Sequence, residues 1–270
     1  MQRQKYRNEV ATEQNFLFKE KTDTIAASRR LIKKLVAVGF SHVCRHRLRL
    51  EENLFVDRRC DDITVKVLNP YAAEIEDSCT ARQVSIWLKK IFEYIEKGFL
   101  NTIILAFYSE KGKPETTIFE MFKFIVKDSS LCFQMKDDNE PIKFDKNEQT
   151  DLKKAVTKLL TSMTAKMRAM PRMPKKYYVT MRLSTSDEFQ QSEKTDEDIY
   201  DDGFAPETKS VSMYTAEDIF SEEVHSKFHK FRVKCVRSKA FPGTSRHRNQ
   251  VDVTNALEES AKKRRRVNED

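Results

Sequence analysis

HKFRVKCVRS, residues 229–238, reads as a β-strand. Phe231, Val233 and Cys235 alternate with Arg232 and Lys234, the two-residue period of a strand with one face in a core. Nothing beside it in sequence reads as its partner: the residues before it are polar and acidic, and those after it read as a tail. A buried strand cannot leave its N–H and C=O groups unpaired. This one must therefore join a sheet built elsewhere in the chain.

Upstream there is material for that sheet. TIILAFY (102–108) and TTIFEMFKFIV (116–126) predict a central hairpin, and KYYVTMRLS (176–184) a further strand. In the last, Tyr177, Val179, Met181 and Leu183 alternate with Thr180 and Arg182. LFVDRRCDDITVKVL (54–68) predicts a small separate hairpin. Three helices accompany these strands. The first begins at one of the caps Thr22, Asp23 or Thr24, with Ile25, Ile32, Leu35, Val36 and Val43 in a stripe that Leu31 and Val38 broaden, so it packs on more than one side. The second spans 81–97, with Val84, Leu88, Ile91 and Ile95 at helical spacing and Gly98 as its stop. The third runs from 148 to 170 on Leu152, Val156, Leu159, Met163 and Met167, before Pro171 and Pro174. Residues 1–20 read as a loosely held arm, polar apart from Phe16, Leu17 and Phe18. Residues 184–210 carry nine Asp/Glu against two Lys and read as a long loop.

Composition narrows the function classes. The 270 residues carry a net charge of +8, which suits an acidic partner such as chromatin without specifying one. Five cysteines with no CxxC pair point to reduced, intracellular thiols. The N-terminus has no secretory apolar core and no run of about 18 apolar residues exists, so no membrane partner is expected.

Candidate chemistry is sparse. Gly39, Gly98, Gly112, Gly203 and Gly243 are too scattered for a phosphate-cradling loop, and there is no GxSxG elbow. His42 and His46, like His225 and His229, stand four apart, but a metal needs three or four converging ligands, and the first pair reads as a basic, solvated helix end together with RHRLR (45–49). Asp57, Asp61 and Asp62 alternate with Arg58 and Arg59 in what reads as a solvated turn. Cys60, among those arginines, is expected to have a lowered thiol pKa, without a histidine to use it. Trp87, Tyr94 and the Met163, Met167, Met170 stripe read as core. The expectation is a protein with no enzymatic activity, no cofactor and no metal.

The order of elements, with SRRLIKKLVAVGFSHV (28–43), ENLFVDRRCDDITVKVL (52–68), VSIWLKKIFEYIEKGFLNTIILAFY (84–108), FEMFKFIV (119–126), YYVTMRLS (177–184) and HKFRVKCVRS, resembles the HORMA domain family, and within it the meiotic chromosome-axis branch. The resemblance covers about residues 20–238. It implies an α/β (α+β) fold of three helices packed on a central antiparallel sheet, with a C-terminal "safety belt" that wraps a short peptide, the closure motif. Mapped here, an arm covers 1–20, the domain 21–238 with its belt at about 184–238, and a flexible tail 239–270. The belt's last strand would dock beside TTIFEMFKFIV. The peptide would add to the strand at 177–184, beside Tyr178, Thr180 and Arg182, with Phe231, Val233 and Cys235 in the belt.

The resemblance implies a non-enzymatic axis-assembly protein supporting homologue pairing, synapsis and crossover formation. Its partners would be closure motifs of its own kind or of related HORMA proteins, and other axis or cohesin-associated proteins, with a weak chromatin contact. Longer members carry a zinc-binding or winged-helix region after the domain, which this chain does not show. Alternatives are a spindle-checkpoint or DNA-repair adaptor of the same fold, or a basic protein that binds DNA directly. In the tail, Val251, Val253 and Leu257 form a strand pattern that the resemblance casts as a closure motif. Lys262, Lys263, Arg264, Arg265 and Arg266 resemble a nuclear import signal, placing the protein at the meiotic chromosome axis in the nucleus.

Overall fold

The structure is a computed structural model that describes residues 16–18, 21–69, 79–111, 116–128, 146–185 and 216–239. These residues form three α-helices and seven β-strands in two sheets. The chain divides into two compact units. The first holds Met1–Glu76, Val126–Ala169 and Glu222–Arg232; the second holds Asp77–Ile125, Met170–Ser221 and Val233–Asp270.

The first unit is organised by α1 (Ile25–Val43). Of the three candidate caps, Thr24 is the one used, its hydroxyl accepting from the Ala27 N–H at 3.0 Å. Burial reaches nearly all round the helix: Leu31, Ile32, Leu35, Val36, Val38, Phe40 and Val43 are all inside. Ser41 lets this apolar helix meet a strand end. Its hydroxyl donates to the Ala37 carbonyl at 2.6 Å and accepts from the Leu68 N–H at 2.8 Å, so a buried backbone donor is satisfied. Leu68 closes the two-stranded sheet of β1 (Phe55–Cys60) and β2 (Ile63–Leu68), which turns at Asp61 in the left-handed region, φ 55. α3 (Lys146–Ala169) buries Leu152, Val156, Leu159, Leu160, Met163 and Met167. The described part of the N-terminal arm is pinned rather than loose. The Phe16 N–H donates to the Arg59 carbonyl at 2.8 Å, Leu17 is buried, and Lys34 and Arg58 lie over the Phe16 ring.

In the second unit α2 (Cys79–Glu96) ends at Gly98, φ 73. The Phe99 N–H reaches back to the Tyr94 carbonyl and the Gly98 N–H to the Ile95 carbonyl, the left-handed stop that glycine allows without strain. β3 (Leu100–Tyr108) follows, then β4 (Ile118–Asp128) and β5 (Tyr178–Thr185). β6 (Ala216–His225) and β7 (His229–Ser238) complete a five-stranded sheet in the order β5-β3-β4-β7-β6. β3 is antiparallel to both neighbours, with Leu105 opposite Phe122 and Met181, and Ala106 opposite Met121 and Thr180.

Both faces of these strands are buried. Leu105 and Phe107 are inside, and so are Ile104, Ala106 and Tyr108. That is why β3 and β4 read as nearly continuous apolar runs rather than as alternating ones. The strand HKFRVKCVRS finds its sheet beside β4. It is not alone, because 216–225, which the sequence does not announce as a strand, forms β6 outside it.

Candidate functional site: an open sheet edge and a seated hairpin

β5 is an edge strand, hydrogen-bonded to β3 on one side and, among the described residues, to no strand on the other. Tyr178, Thr180 and Arg182 lie opposite Tyr108, Ala106 and Ile104, while Val179, Met181 and Leu183 lie opposite Phe107, Leu105 and Ile103. The two sets therefore occupy opposite faces of the strand, as the period requires. Both are buried: Thr180 is 8% exposed and Arg182 2%. Tyr178 stacks on Tyr108 with ring centroids 5.4 Å apart, and the Lys176 ammonium lies 5.9 Å from the Tyr178 centroid. The strand's side chains are thus fixed, and what its outer side offers a ligand is main chain.

Phe231, Val233 and Cys235 are fully buried on β7, and two strands, β3 and β4, stand between β7 and β5. They seat the hairpin. Further along β7, Arg237 donates from Nε and Nη2 to one oxygen of Glu120 at 3.0 and 2.9 Å, with the two side chains 6% and 0% exposed. Glu120 interrupts the apolar run of β4, and Arg237, delivered by β7, donates to it there. β6 adds cross-strand ion pairs. Asp218 meets Lys234 at 2.8 Å, and Glu223 meets Arg232.

The tip of the β6–β7 hairpin is held in the first unit by a chain of polar groups. Ser226 accepts from the His229 N–H at 2.9 Å and shares a hydrogen with Ser28 at 2.7 Å. Ser28 also lies 2.7 Å from His229 Nδ1, and His229 Nε2 lies 3.3 Å from Asp128. Serine, histidine and aspartate in sequence suggest a nucleophile. Ser28, however, is wholly buried in α1, where no substrate reaches it, so the network works as an anchor. Lys227 pairs with Glu148 at 2.7 Å, and Phe228 beside it is fully buried.

The other residues singled out by sequence are placed as follows. Asp57 pairs with Lys66 at 3.1 Å on the exposed side of the small hairpin. The Cys60 thiol is not activated: burial pushes it up to about 12, against the weaker pull of Lys34. Cys44 is raised further by complete burial. Arg47 is buried and 44–48 form a π-helical turn, so RHRLR is not a solvated end, and His42 is 4% exposed. His225 is exposed beside Glu223, while its sequence partner His229 is buried in the anchor. Trp87, Tyr94, Met163, Met167 and Met170 are core. Among the described residues no three His, Cys, Asp or Glu side chains converge as a metal site, and no helix is long and apolar enough to cross a membrane. Val251, Val253, Leu257 and Lys262–Arg266 lie outside the described residues.

Sequence reasoning missed β6 and the anchor at its tip. The inner face of β6 carries Phe220, Glu222 and Val224, and the central carboxylate hides the apolar period; Ser162 of α3 donates to it.

A five-stranded sheet whose terminal strand β5 is unpaired on its outer side among the described residues, with the β6–β7 hairpin beyond β4, defines the class of fold. The HORMA domain profile matches residues 28–229, and the chain belongs to the HORMA domain family. Among curated relatives it is similar to mouse HORMA domain-containing protein 1, 27% identical over 229 residues, 83% of this chain and 55% of that one. It is also similar to mouse HORMA domain-containing protein 2, 27% identical over 175 residues, 63% of this chain and 54% of that one. The chain thus spans about half the length of the curated relatives it matches. Among solved structures it shares its fold with C. elegans HTP-2 bound to HTP-3 closure motif 1, with a TM-score of 0.60, 17% identity and coverage of 83% and 91%. A chain of the mitotic checkpoint complex also shares the fold, with a TM-score of 0.54, 13% identity and coverage of 78% and 98%.

Proposed function

We propose that this chain is a non-enzymatic clasp of the meiotic chromosome axis, binding closure-motif peptides along the outer side of β5. The carrying observation is the sheet order. The C-terminal hairpin occupies the far side of β4, so β5 keeps an unpaired main-chain edge among the described residues. An added peptide strand gains its hydrogen bonds there and its specificity from pockets for alternate side chains. The HTP-2 complexes with closure motifs of HTP-3 and HIM-3, and the naming of the curated relatives, support this reading.

In this reading residues 21–238 are the clasp and 184–238 its belt. Residues 244–260, with Val251, Val253 and Leu257, supply a motif for another copy or a related domain. Because tail-into-pocket contacts are heterologous, they propagate into chains rather than closing on themselves. Lys262–Arg266 direct the protein to the nucleus, where axis and cohesin-associated proteins are its partners; replacing Lys263, Arg264 and Arg265 by alanine in a fluorescent fusion abolishes nuclear enrichment if they do.

The direct test is a fluorescent 244–260 peptide titrated into the 270-residue chain with its own motif disabled by Val251→Asp and Val253→Asp. Saturable binding with slow release is expected, since dissociation from under a belt requires local opening. Absence of binding by this peptide and by closure motifs of related HORMA proteins would remove the proposal.

A further inference from the structure

The C-terminal end of α1 gathers buried ring nitrogens that have no hydrogen-bond partner among the described residues. His42 is 4% exposed, and neither of its ring nitrogens has a hydrogen-bond partner among the described residues. His46, one turn on and half-buried, stacks on it with ring centroids 6.0 Å apart and planes 10° from parallel; its Nε2 is likewise without a partner. Buried polar atoms without partners are rare enough in folded proteins to call for a cause. Arg168, exposed near the end of α3, acts electrostatically on both imidazoles and has no ion-pair partner among the described residues. The cluster lies where the helix widens into the π-helical turn Cys44–Leu48, and Arg49 then leaves in the left-handed region at φ 54.

We propose that His42, His46 and Arg168 form a binding site for a phosphate monoester carried on a protein side chain. The charges around the rings exclude the obvious rival, a divalent cation. Arg45, Arg47 and Arg168 all face the pair, against one carboxylate, Glu52, which Arg45 already holds at 2.7 Å. Burial, reinforced by that field, holds His42 down to about 4 and His46 below its ordinary value, so the neutral form prevails in both rings at pH 7, each with one N–H to give. A metal ion entering here meets repulsion, whereas an oxyanion meets attraction and donors.

Depth selects among oxyanions. A duplex backbone presents single charges on a stiff rod and cannot push one down to a side chain as covered as His42. A phosphoserine or phosphothreonine carries about −1.5 to −2 charges and three acceptor oxygens at the end of a rotatable stem, enough to accept from two imidazoles and a guanidinium together. The site lies in the first unit, on residues that have no part in the β5 edge, so it stands or falls independently of the clasp reading.

The test follows the imidazole C2–H resonances of the full chain by NMR, in phosphate-free buffer at constant ionic strength. The probes are inorganic phosphate, a phosphothreonine peptide, its unphosphorylated twin and a short DNA duplex. The phosphopeptide should move the His42 and His46 signals saturably, and its twin should not. Arg168→Gln, an exposed change that leaves the fold intact, should weaken the effect about tenfold or more. Equal or larger shifts with duplex DNA would reassign the site to nucleic acid. A response to free phosphate but not to the phosphopeptide, silence with every probe, or full binding by Arg168→Gln would each overturn the proposal.

Discussion

At one edge of the sheet β5 reads YVTMRLST; at the other β6 reads AEDIFSEEVH. The first has a single charge, Arg182, and that side chain is buried. The second has four carboxylates. Asp218 and Glu223 are tied to Lys234 and Arg232 of β7, and Glu222 accepts from Ser162, so three of the four carboxylates are engaged by the protein's own side chains. Acidic side chains along an edge deter a further strand from pairing there. An uncharged edge with its side chains locked leaves pairing open. On the proposed function one sheet thus has a guarded border and a receptive one, and the guarded border is the one the C-terminal hairpin brings with it.

The largest expected break in that contrast is at Arg237. Removing it by Arg237→Ala takes the guanidinium away from a buried carboxylate on β4, at a cost of about 3–5 kcal/mol by chemical denaturation. Glu120→Leu combined with Arg237→Met should recover most of the loss, and if it does not, the pair is more than a register device. Next is the hairpin tip. Ser28→Ala withdraws the hydroxyl that joins His229 to Ser226, and about 1–3 kcal/mol of local protection should vanish from 216–239 in hydrogen exchange. Unchanged exchange in β3 and β5 would confirm that the two borders open separately.

A third change gives the receptive edge the guard of the other. Thr180→Glu with Ser184→Glu should lower closure-peptide affinity about tenfold or more through charge and desolvation, and retained affinity would move the peptide site off β5. The smallest effect is the converse. Neutralising the guard with Glu217→Thr and Asp218→Thr should change stability by under about 1 kcal/mol while promoting self-association detectable by sedimentation. Sedimentation unchanged from that of the unaltered chain would show that those charges are not the guard.

Elements held together by local pattern were legible in the sequence: the wide stripe of α1, the stop at Gly98, the central hairpin and the alternation of HKFRVKCVRS. What was not legible depended on partners far along the chain. β6 was hidden because Glu222, part-buried between Phe220 and Val224 with Ser162 donating to it, breaks the apolar period. His42 read as solvated because a histidine beside arginines usually is, yet the same breadth of stripe that marked α1 as packed on several sides encloses it. Cys60 failed in the same way. Its arginine neighbours in sequence suggested an activated thiol, but strand alternation turns its side chain inward, where burial outweighs them. At the site, the strand Tyr178–Thr185 itself was readable, whereas the anchor of Ser28, Ser226 and His229 joins residues about two hundred positions apart.

The pairing of β7 with β4 also has a consequence during synthesis. β4 ends at Asp128 and β7 begins at His229, so at roughly 5–20 residues per second the ribosome leaves the apolar flank of β4 without its neighbour for several seconds or more. The β6–β7 turn is short and such hairpins form within about 1–10 μs, so the late segment arrives preassembled and docks as one piece. Until it does, FEMFKFIV, paired with β3 on one side, exposes its other edge on a nascent chain, the kind of unpaired strand edge that is prone to aggregate.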